Sequence, residues 1–459
     1  MPRKLLLIFL LALTVRVLFF SLAAVSSGGT ISELVPRFDG YIDITENLLA
    51  GNGFTQDGAP PFVPDSIRTP LYPFFLAGLI AVFGNHIAVI MVQMLVASFI
   101  PLLAYRIARQ LLADERIATM TGVFLAVEPL TVHLSSTLQV ETFFTLFFLG
   151  GLTVFLDYGK EPRTQTLIVV AFLFGLATLA RPTIQYLPLL LIGAVFLLLR
   201  KDTAQAIRHS LVLVLVFGTV LSPWVIRNYL QFGNPALSVQ SVSVPYAFLV
   251  PSAIALEEGI GFSKAQEEFN RGVGGIKNIE DITLANAKIY KKRFPSLLLA
   301  HPVGLLKSVG VTVFTFFTHD GYLDVLGRLH IDPKLRLERP AFTLLFESPK
   351  KAVSLVVSLS KSPALLIILG RILWALITIF FAIGVIKLIK TPEHRAKGVF
   401  ILLLVAYFVF TTVAVGLAVN ARFRVPVNAL VFIFTVYGAS GLLSSIQAFA
   451  HKYKKAEVL

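Results

Sequence analysis

Three acidic side chains in one short stretch have the spacing of a helix face. If the chain is helical from Gly40, then Asp39, Asp43 and Glu46 lie at positions i, i+4 and i+7. Gly51 stands where such a helix would end. A carboxylate here could act as a general base that takes a proton from an acceptor hydroxyl. The alternative is that Asp39 caps the helix and the other two acids face solvent.

Five arginines stand next to the ends of apolar runs, where they could bind one shared anion. They are Arg68, Arg181, Arg227, Arg422 and Arg424. A guanidinium group binds phosphate through two parallel hydrogen bonds, so converging arginines would predict a phosphate site. For any one of them, contact with lipid headgroups or an ion pair with a loop acid is an equally good interpretation.

Two acids fall beside or inside apolar runs, where a carboxylate is costly and usually faces a cavity or the interior of a bundle. Glu128 lies near the end of one run, and Glu141 starts the next. Either could orient a substrate or an arginine, and Glu128 could equally be buried against Arg16 or a helix-end serine. Arg16 falls near the middle of its own run, and we expect a structural ion pair there.

Metal and nucleotide chemistry have little support in the sequence. His133, His301 and His319 share no ligand spacing, so we expect no zinc site built by the protein. Asp39 and Asp43 could share a divalent cation. The chain has no glycine-rich phosphate loop, and its lack of cysteine excludes disulfides, iron–sulfur clusters and thiolate nucleophiles.

The elements that must position these side chains are membrane helices. Of the 459 residues 56% are hydrophobic and only 14% are charged, and the mean hydropathy is +0.79. An ordinary soluble domain has about a quarter of its residues charged. The net charge of +14 would suit nucleic acid, but the basic residues stand at the ends of apolar runs. We therefore expect a lipid bilayer and no nucleic acid as a partner.

Ten apolar runs reach or approach the roughly 20 residues that a helix needs to cross a bilayer. The first contains Arg16, and we interpret it as an uncleaved first helix rather than a signal peptide. Residues 71–84 are shorter and are interpreted as a juxtamembrane helix or half-hairpin; residues 302–318 pose the same question. The sequence predicts an all-α polytopic protein with ten to twelve membrane helices and further helices in its outer loops. The runs are 4–25, 86–105, 116–134, 140–157, 164–180, 183–200, 208–226, 366–387, 398–418 and 425–446.

Lysine and arginine collect at alternate junctions between the runs, which marks those junctions as cytoplasmic. We therefore expect both termini in the cytoplasm of a plasma or inner membrane, with 25–70 and 227–365 outside. Three regions follow: 1–226 with a first outer loop over 25–85, then 227–365, then 366–459. No internal repeat is apparent, which disfavours a transporter built from two related halves. The basic junctions contain Arg106, Arg109 and Arg116; Lys160 and Arg163; Arg200, Lys201 and Arg208; Lys387, Lys390, Arg395 and Lys397; and Lys452, Lys454 and Lys455.

Six short motifs, taken in order, resemble the polytopic C-type (GT-C) glycosyltransferases. The resemblance is to the bacterial branch, similar to glycosyltransferase family 39, that contains protein O-mannosyltransferases and the aminoarabinose transferase of lipid A. It covers residues 1–235 and 365–447 and leaves 236–365 without a usable match. The motifs are DGYIDITENLLAGNGF, RTPLYPFFLAGLIAVFG, LQVETFF, GLATLARPTIQYLPLL, SPWVIRNYLQFGNP and NARFRVPV.

This resemblance implies a GT-C-like helix bundle that takes a sugar from a polyprenyl-phosphate donor at the outer membrane face. Asp39 matches the family's first-loop aspartate, which is the catalytic base or positions the acceptor. Arg181 stands where a phosphate-binding cation is expected, with Arg227 and Arg424 as companions. Glu141 matches the acid that opens the helix after the third span.

Several details stay open in this comparison. Some relatives have a second acid directly after the aspartate, where this chain has Gly40, so metal use and the role of Asp43 are not determined. Tyr41 or Tyr72 could shape the sugar pocket. One-step displacement would invert the anomeric configuration, and the acceptor could be a lipid, a protein or a growing glycan.

Two other functions fit part of the pattern. A transporter or flippase of lipid-linked glycans could use the outer cations to guide phosphates without chemistry, and a scaffold could use the outer loops to bind partners. The long first loop, with apolar residues at helical spacing, favours the enzyme.

Overall fold

The computed structural model describes residues 3–333 and 362–441, together with the single positions 350, 354 and 357. Every regular element in this part of the chain is a helix, which confirms the all-α prediction. In chain order the helices are α1 (Arg3–Ser26), α2 (Ile31–Leu34), α3 (Tyr41–Ala50), α4 (Leu71–Phe83), α5 (His86–Ala97), α6 (Ile100–Leu112), α7 (Glu115–Val127), α8 (Pro129–Ser135), α9 (Glu141–Tyr158), α10 (Thr164–Ala180), α11 (Leu187–Leu198), α12 (Thr203–Phe232), α13 (Gln240–Val244), α14 (Val250–Glu258), α15 (Phe262–Phe269), α16 (Ala287–Leu299), α17 (Pro302–Thr318), α18 (Tyr322–Arg328), α19 (Ala364–Lys390), α20 (Pro392–Val413) and α21 (Val425–Gly441).

Six helices within the described ranges are long and apolar enough to cross a membrane, and the number rises to eight if two bent pairs each count as one span. The bent pairs are α7 with α8, at 56°, and α16 with α17, at 98°. This number is lower than the ten to twelve helices predicted. The difference arises because the predicted runs 164–180, 183–200 and 425–446 contain the shorter apolar helices α10, α11 and α21, and 71–84 contains α4.

The break between α7 and α8 explains two polar side chains that are buried in the bundle. The carboxylate of Glu128 caps α8, because it accepts from the backbone N–H groups of Leu130 and Thr131. The carbonyl of Ala126 loses its helical donor at this break, and Arg16 of α1 donates to it at 3.2 Å. Arg16 also donates to Ala12. The expected ion pair of Arg16 is not found among the described residues; the guanidinium group bonds to carbonyls instead.

Helix α9 lies at the centre of the bundle, with α5, α6, α8 and α10 packed around it. Phe144 and Phe148 of this helix are fully buried, and the Phe148 ring lies 5.1 Å from that of Phe408 on α20 and 6.0 Å from that of Phe174 on α10. This packing leaves little freedom to α9. The side chain at its first residue, Glu141, is therefore held in a defined place.

A smaller second core joins the first loop to the segment after α12. It includes Tyr246, Val250 and Phe269 and extends to Ile67 of the first loop. Backbone contacts join the same two parts, since Val239 N–H donates to the Ser66 carbonyl at 2.9 Å. The first loop is thus a packed layer of the fold that can hold side chains in place.

Candidate active site

Asp39 is held in a turn directly before α3 rather than on that helix. Both Asp39 and Gly40 have left-handed backbone conformations, with φ of 59° and 68°. Gly40 takes the capping position without a side-chain bond, so the Asp39 carboxylate does not cap α3. It is therefore available for contacts outside its own helix.

The Asp39 carboxylate instead bonds to an arginine from the far end of the chain. Arg422 Nη2 lies 2.6 Å from Asp39 Oδ2, and Arg68 Nη2 lies 3.8 Å from Asp39 Oδ1. Arg68 also donates through Nε to the backbone carbonyl of Asp39. The two arginines hold both the side chain and the backbone of this turn.

Glu141 connects a third arginine to the same group. Its Oε1 accepts from Nε of Arg422 and, at 3.3 Å, from Nη1 of Arg181. Glu141 is 1% exposed, and its Oε2 has no hydrogen-bond partner among the described residues. As the first residue of α9, it also lies at the positive end of the helix dipole, which favours a carboxylate there.

A cavity of about 260 Å³ opens beside these side chains. Asp39, Arg68, Arg181 and Arg422 line it, whereas Glu141 lies behind the lining. The first loop, the end of α10, the segment from α13 to α14 and the turn between α20 and α21 all contribute. The remaining walls include amides and apolar and aromatic groups, among them Gln240, Asn420, Val244, Phe248, Val415 and Phe423.

Two tyrosines support one wall of the cavity. Tyr41 lines it and lies under the Arg68 guanidinium group, 5.5 Å from ring centroid to Cζ. Tyr72 packs edge-on against Tyr41 at 5.0 Å and is fully buried, with its hydroxyl donating to Gln93 at 2.8 Å. Only Tyr41 can therefore contact a molecule in the cavity; Tyr72 fixes the position of the Tyr41 ring.

The charges of the cavity keep its carboxylate ionised. Burial by itself would raise the pKa of Asp39, but the opposing effects of Arg422 and Arg68 are together larger and hold the pKa below its ordinary value of 3.8. Burial would likewise lower the pKa of Arg422, but Glu141 and Asp39 raise it instead. At neutral pH the cavity therefore contains ionised Asp39 among guanidinium groups.

Three of the predicted site residues lie elsewhere. Arg227 packs on Trp224, 4.6 Å from the ring centroid, and donates to the carbonyl of Asp65. Arg424 is fully buried over Trp374, 3.4 Å from the ring centroid, and donates to backbone carbonyls. Two residues along a tight turn point in different directions, which separates Arg424 from Arg422.

Asp43 is the third of these. It pairs with Arg37 at 2.6 Å, and Glu46 pairs with the same arginine at 2.7 Å. Asp39 and Asp43 thus engage different arginines. Within the described ranges no group of three or more histidine, aspartate or glutamate side chains is placed to hold a metal ion.

Sequence reasoning missed part of the cavity wall. Gln240, Val244 and Phe248 come from a segment that offered no usable motif. Asn420 and Phe423 stand in the NARFRVPV motif. Their proximity to Arg422 in the sequence was the only sign that they could line the cavity.

Comparison with known proteins adds an independent observation. Residues 67–226 match the family model described as dolichyl-phosphate-mannose-protein mannosyltransferase. The match covers less than half of the chain; it includes Arg68, Glu141 and Arg181 but not Asp39 or Arg422. A comparison with curated proteins gives no match. Over this part of its length the chain is therefore similar to a family of membrane glycosyltransferases of the GT-C type.

Proposed function

We propose that the chain transfers a sugar from a polyprenyl-phosphate donor to an acceptor hydroxyl or amine at the extracytoplasmic membrane face. Asp39 is the base, and Arg68, Arg181 and Arg422 bind the donor phosphate. One observation carries this proposal: a carboxylate and three guanidinium groups from distant parts of the chain face a single cavity.

The chemistry that we propose is one displacement at the anomeric carbon. The acceptor oxygen or nitrogen forms a bond to this carbon, its proton passes to Asp39, and the bond from the carbon to the phosphate oxygen breaks. Negative charge grows on the leaving polyprenyl phosphate, and fixed guanidinium groups stabilise that charge. Attack opposite the leaving group inverts the anomeric configuration.

The pairing of Arg422 with Asp39 is compatible with phosphate binding. A guanidinium group has five N–H donors. Arg422 directs Nε to Glu141 and Nη2 to Asp39, which leaves further N–H groups for a phosphate oxygen. Glu141 therefore acts as a positioning residue that holds Arg181 and Arg422 beside the cavity.

The charge pattern supports an extracytoplasmic site. Glu141 and the cavity lie at the amino end of α9, whereas Asp157 near its other end pairs with Arg106 at 2.8 Å and with Lys160 at 2.8 Å. Those basic residues belong to junctions predicted to be cytoplasmic. We propose a plasma or inner membrane location with both termini in the cytoplasm; the lysines at 452–455 lie outside the described residues.

The test is turnover by the purified full-length chain with a panel of polyprenyl-phosphate sugars, followed as release of polyprenyl phosphate. The variant Asp39→Asn should lose about 10²–10⁴-fold in kcat and still bind the donor. Asp43→Asn, on the same loop but paired with Arg37, is the matched control and should keep its activity.

A flippase or transporter of lipid-linked glycans would give a different result. It would move the lipid across vesicle membranes with no sugar release, and Asp39→Asn would leave that movement intact. A scaffold would tolerate both Asp39→Asn and Arg181→Ala with partner binding unchanged.

A further inference from the structure

Helix α16 has a face of basic residues that the proposed reaction does not use. Lys288, Lys291 and Lys292 are all exposed on this face. None of the three has an acidic partner or a hydrogen bond among the described residues. Other cations nearby are paired, such as Lys264 with Glu268 at 3.8 Å.

The carboxyl end of α16 leads into an apolar elbow. The chain bends by 98° between α16 and α17, and Leu299, Val303 and Leu306 around the bend are 70%, 56% and 74% exposed. Such a run of exposed apolar side chains is stable in lipid rather than in water. This end of α16 therefore lies at the level of the bilayer.

The elbow is also rigid. Gly304 in the first turn of α17 approaches the Ala253 carbonyl of α14 so closely that a Cβ would collide with it, and its N–H donates to Glu257 at 2.7 Å. Glu257 also lies 3.5 Å from His301. The angle between α16 and α17 is thus fixed by packing.

The chain at the amino end of α16 is bonded to the chain at the outer end of the membrane helix α12, which also indicates its depth in the membrane. Leu230, near the outer end of the membrane helix α12, is 75% exposed. Asn234, about one helical turn further on, donates to the carbonyl of Leu284, three residues before α16 begins. Both ends of α16 therefore lie at the depth where exposed apolar residues are followed by polar residues, which is the depth of the membrane surface.

We propose that α16 lies parallel to the extracytoplasmic surface of the membrane and that its lysines bind the headgroups of anionic phospholipids. Tyr290 and Phe294 on the opposite face pack against the second core, so the basic face is free to meet the membrane. The lysines stand about 10–17 Å from Leu299 along the helix axis. A helix parallel to the membrane holds all three at the depth of the headgroups, which their long side chains can then reach. Each lysine near an anionic surface favours binding, and together they select anionic over zwitterionic lipid.

The absence of cysteine from the chain makes a direct test possible. Ser296→Cys on the exposed face of α16 carries a fluorophore in the full-length chain, reconstituted into vesicles of phosphatidylcholine and phosphatidylglycerol in equal parts. A trace of nitroxide-labelled phosphatidylglycerol or phosphatidylcholine is the quencher. We expect several-fold stronger quenching by the phosphatidylglycerol tracer, weakened by high salt.

A triple variant tests whether these lysines, rather than the overall positive charge of the protein, cause the preference for anionic lipid. Lys288→Gln, Lys291→Gln and Lys292→Gln together should make the two tracers quench equally. The matched control changes three cations of the neighbouring segment, Lys264→Gln, Arg271→Gln and Lys277→Gln, and should keep the difference. Equal quenching in the unaltered chain, a difference that survives the lysine variant, or no quenching by either tracer would overturn the proposal. The readout needs no enzymatic activity, so it is independent of the proposed function.

Discussion

Arg422 and Asp39 form an ion pair of 2.6 Å although 383 positions separate them in the chain. Asp39 comes from the first loop and Arg422 from the turn before α21. The ion pair therefore joins an early and a late part of the described chain beside the cavity. Because Arg422 also bonds to Glu141, the position of one guanidinium group depends on two carboxylates.

Glu141 is expected to control donor binding without touching the donor. Glu141→Gln removes the charge that holds Arg181 and Arg422, so the donor KM should rise about tenfold or more, as for loss of a hydrogen bond between charged groups. Glu46→Gln, an exposed acid paired with Arg37, is the control. Unchanged steady-state kinetics in Glu141→Gln would contradict the positioning role.

Arg181 and Arg227 should respond differently to truncation. Arg181→Ala removes a guanidinium group from the cavity and should raise the donor KM with little loss of folding. Arg227→Ala removes packing on Trp224 and should lower the melting temperature while leaving the KM unchanged. Binding measurements with a non-hydrolysable donor analogue and thermal unfolding distinguish the two, and a matching loss of donor affinity in both variants would count against the assignment.

The ion pairs of Asp39 should make folding stability depend on pH. Arg422 and Arg68 hold the pKa of Asp39 below its ordinary value of 3.8. A lowered pKa contributes stability that is complete above the unfolded pKa and is lost as the pH falls through the folded pKa. Asp39→Asn should therefore have a lower melting temperature than the unaltered chain at pH 7. This difference in melting temperature should become smaller below about pH 4. A difference that stays constant down to pH 3 would exclude this linkage.

Gly40 should be the more sensitive of two glycines with the same backbone. Gly40 and Gly51 both have left-handed conformations, which cost other residues about 1–2 kcal/mol. A Cβ at Gly40 also collides with the Gln56 side chain, whereas Gly51 has open space around it. Gly40→Ala should thus lose more stability and activity than Gly51→Ala. Equal losses would show that the Gln56 contact is unimportant.

Arg328 should tie the first loop to the rest of the site. It is buried on α18 and donates to the carbonyls of Leu34 at 2.7 Å, Glu33 at 2.5 Å and Ser136 at 3.3 Å. These carbonyls lie shortly before Asp39 and Glu141 in the chain. Arg328→Gln should lower kcat and speed amide hydrogen exchange around residues 33–39, with partial recovery in Arg328→Lys. Unaltered exchange in this loop would refute the connection.

Local patterns were enough to predict the class of fold and some of the elements. Helix α3 ends at Ala50, directly before the left-handed Gly51 that was expected to stop it, and the first membrane helix follows its predicted run. The described part of the chain contains six to eight helices that are long and apolar enough to cross a membrane, against the ten to twelve predicted, because hydropathy does not show that a run such as 183–200 forms only the shorter helix α11.

The sequence by itself determined that this chain is a membrane protein and that Asp39 and several arginines lie near helix ends. Apolar runs and the placement of charges are local properties of the sequence. Only the tertiary structure decided which arginines meet. Arg68, Arg181 and Arg422 face the cavity, whereas Arg227 and Arg424 pack on tryptophans. The reason is physical: the direction of a side chain at the end of a helix depends on how neighbouring helices pack, and those neighbours come from parts of the chain hundreds of residues away.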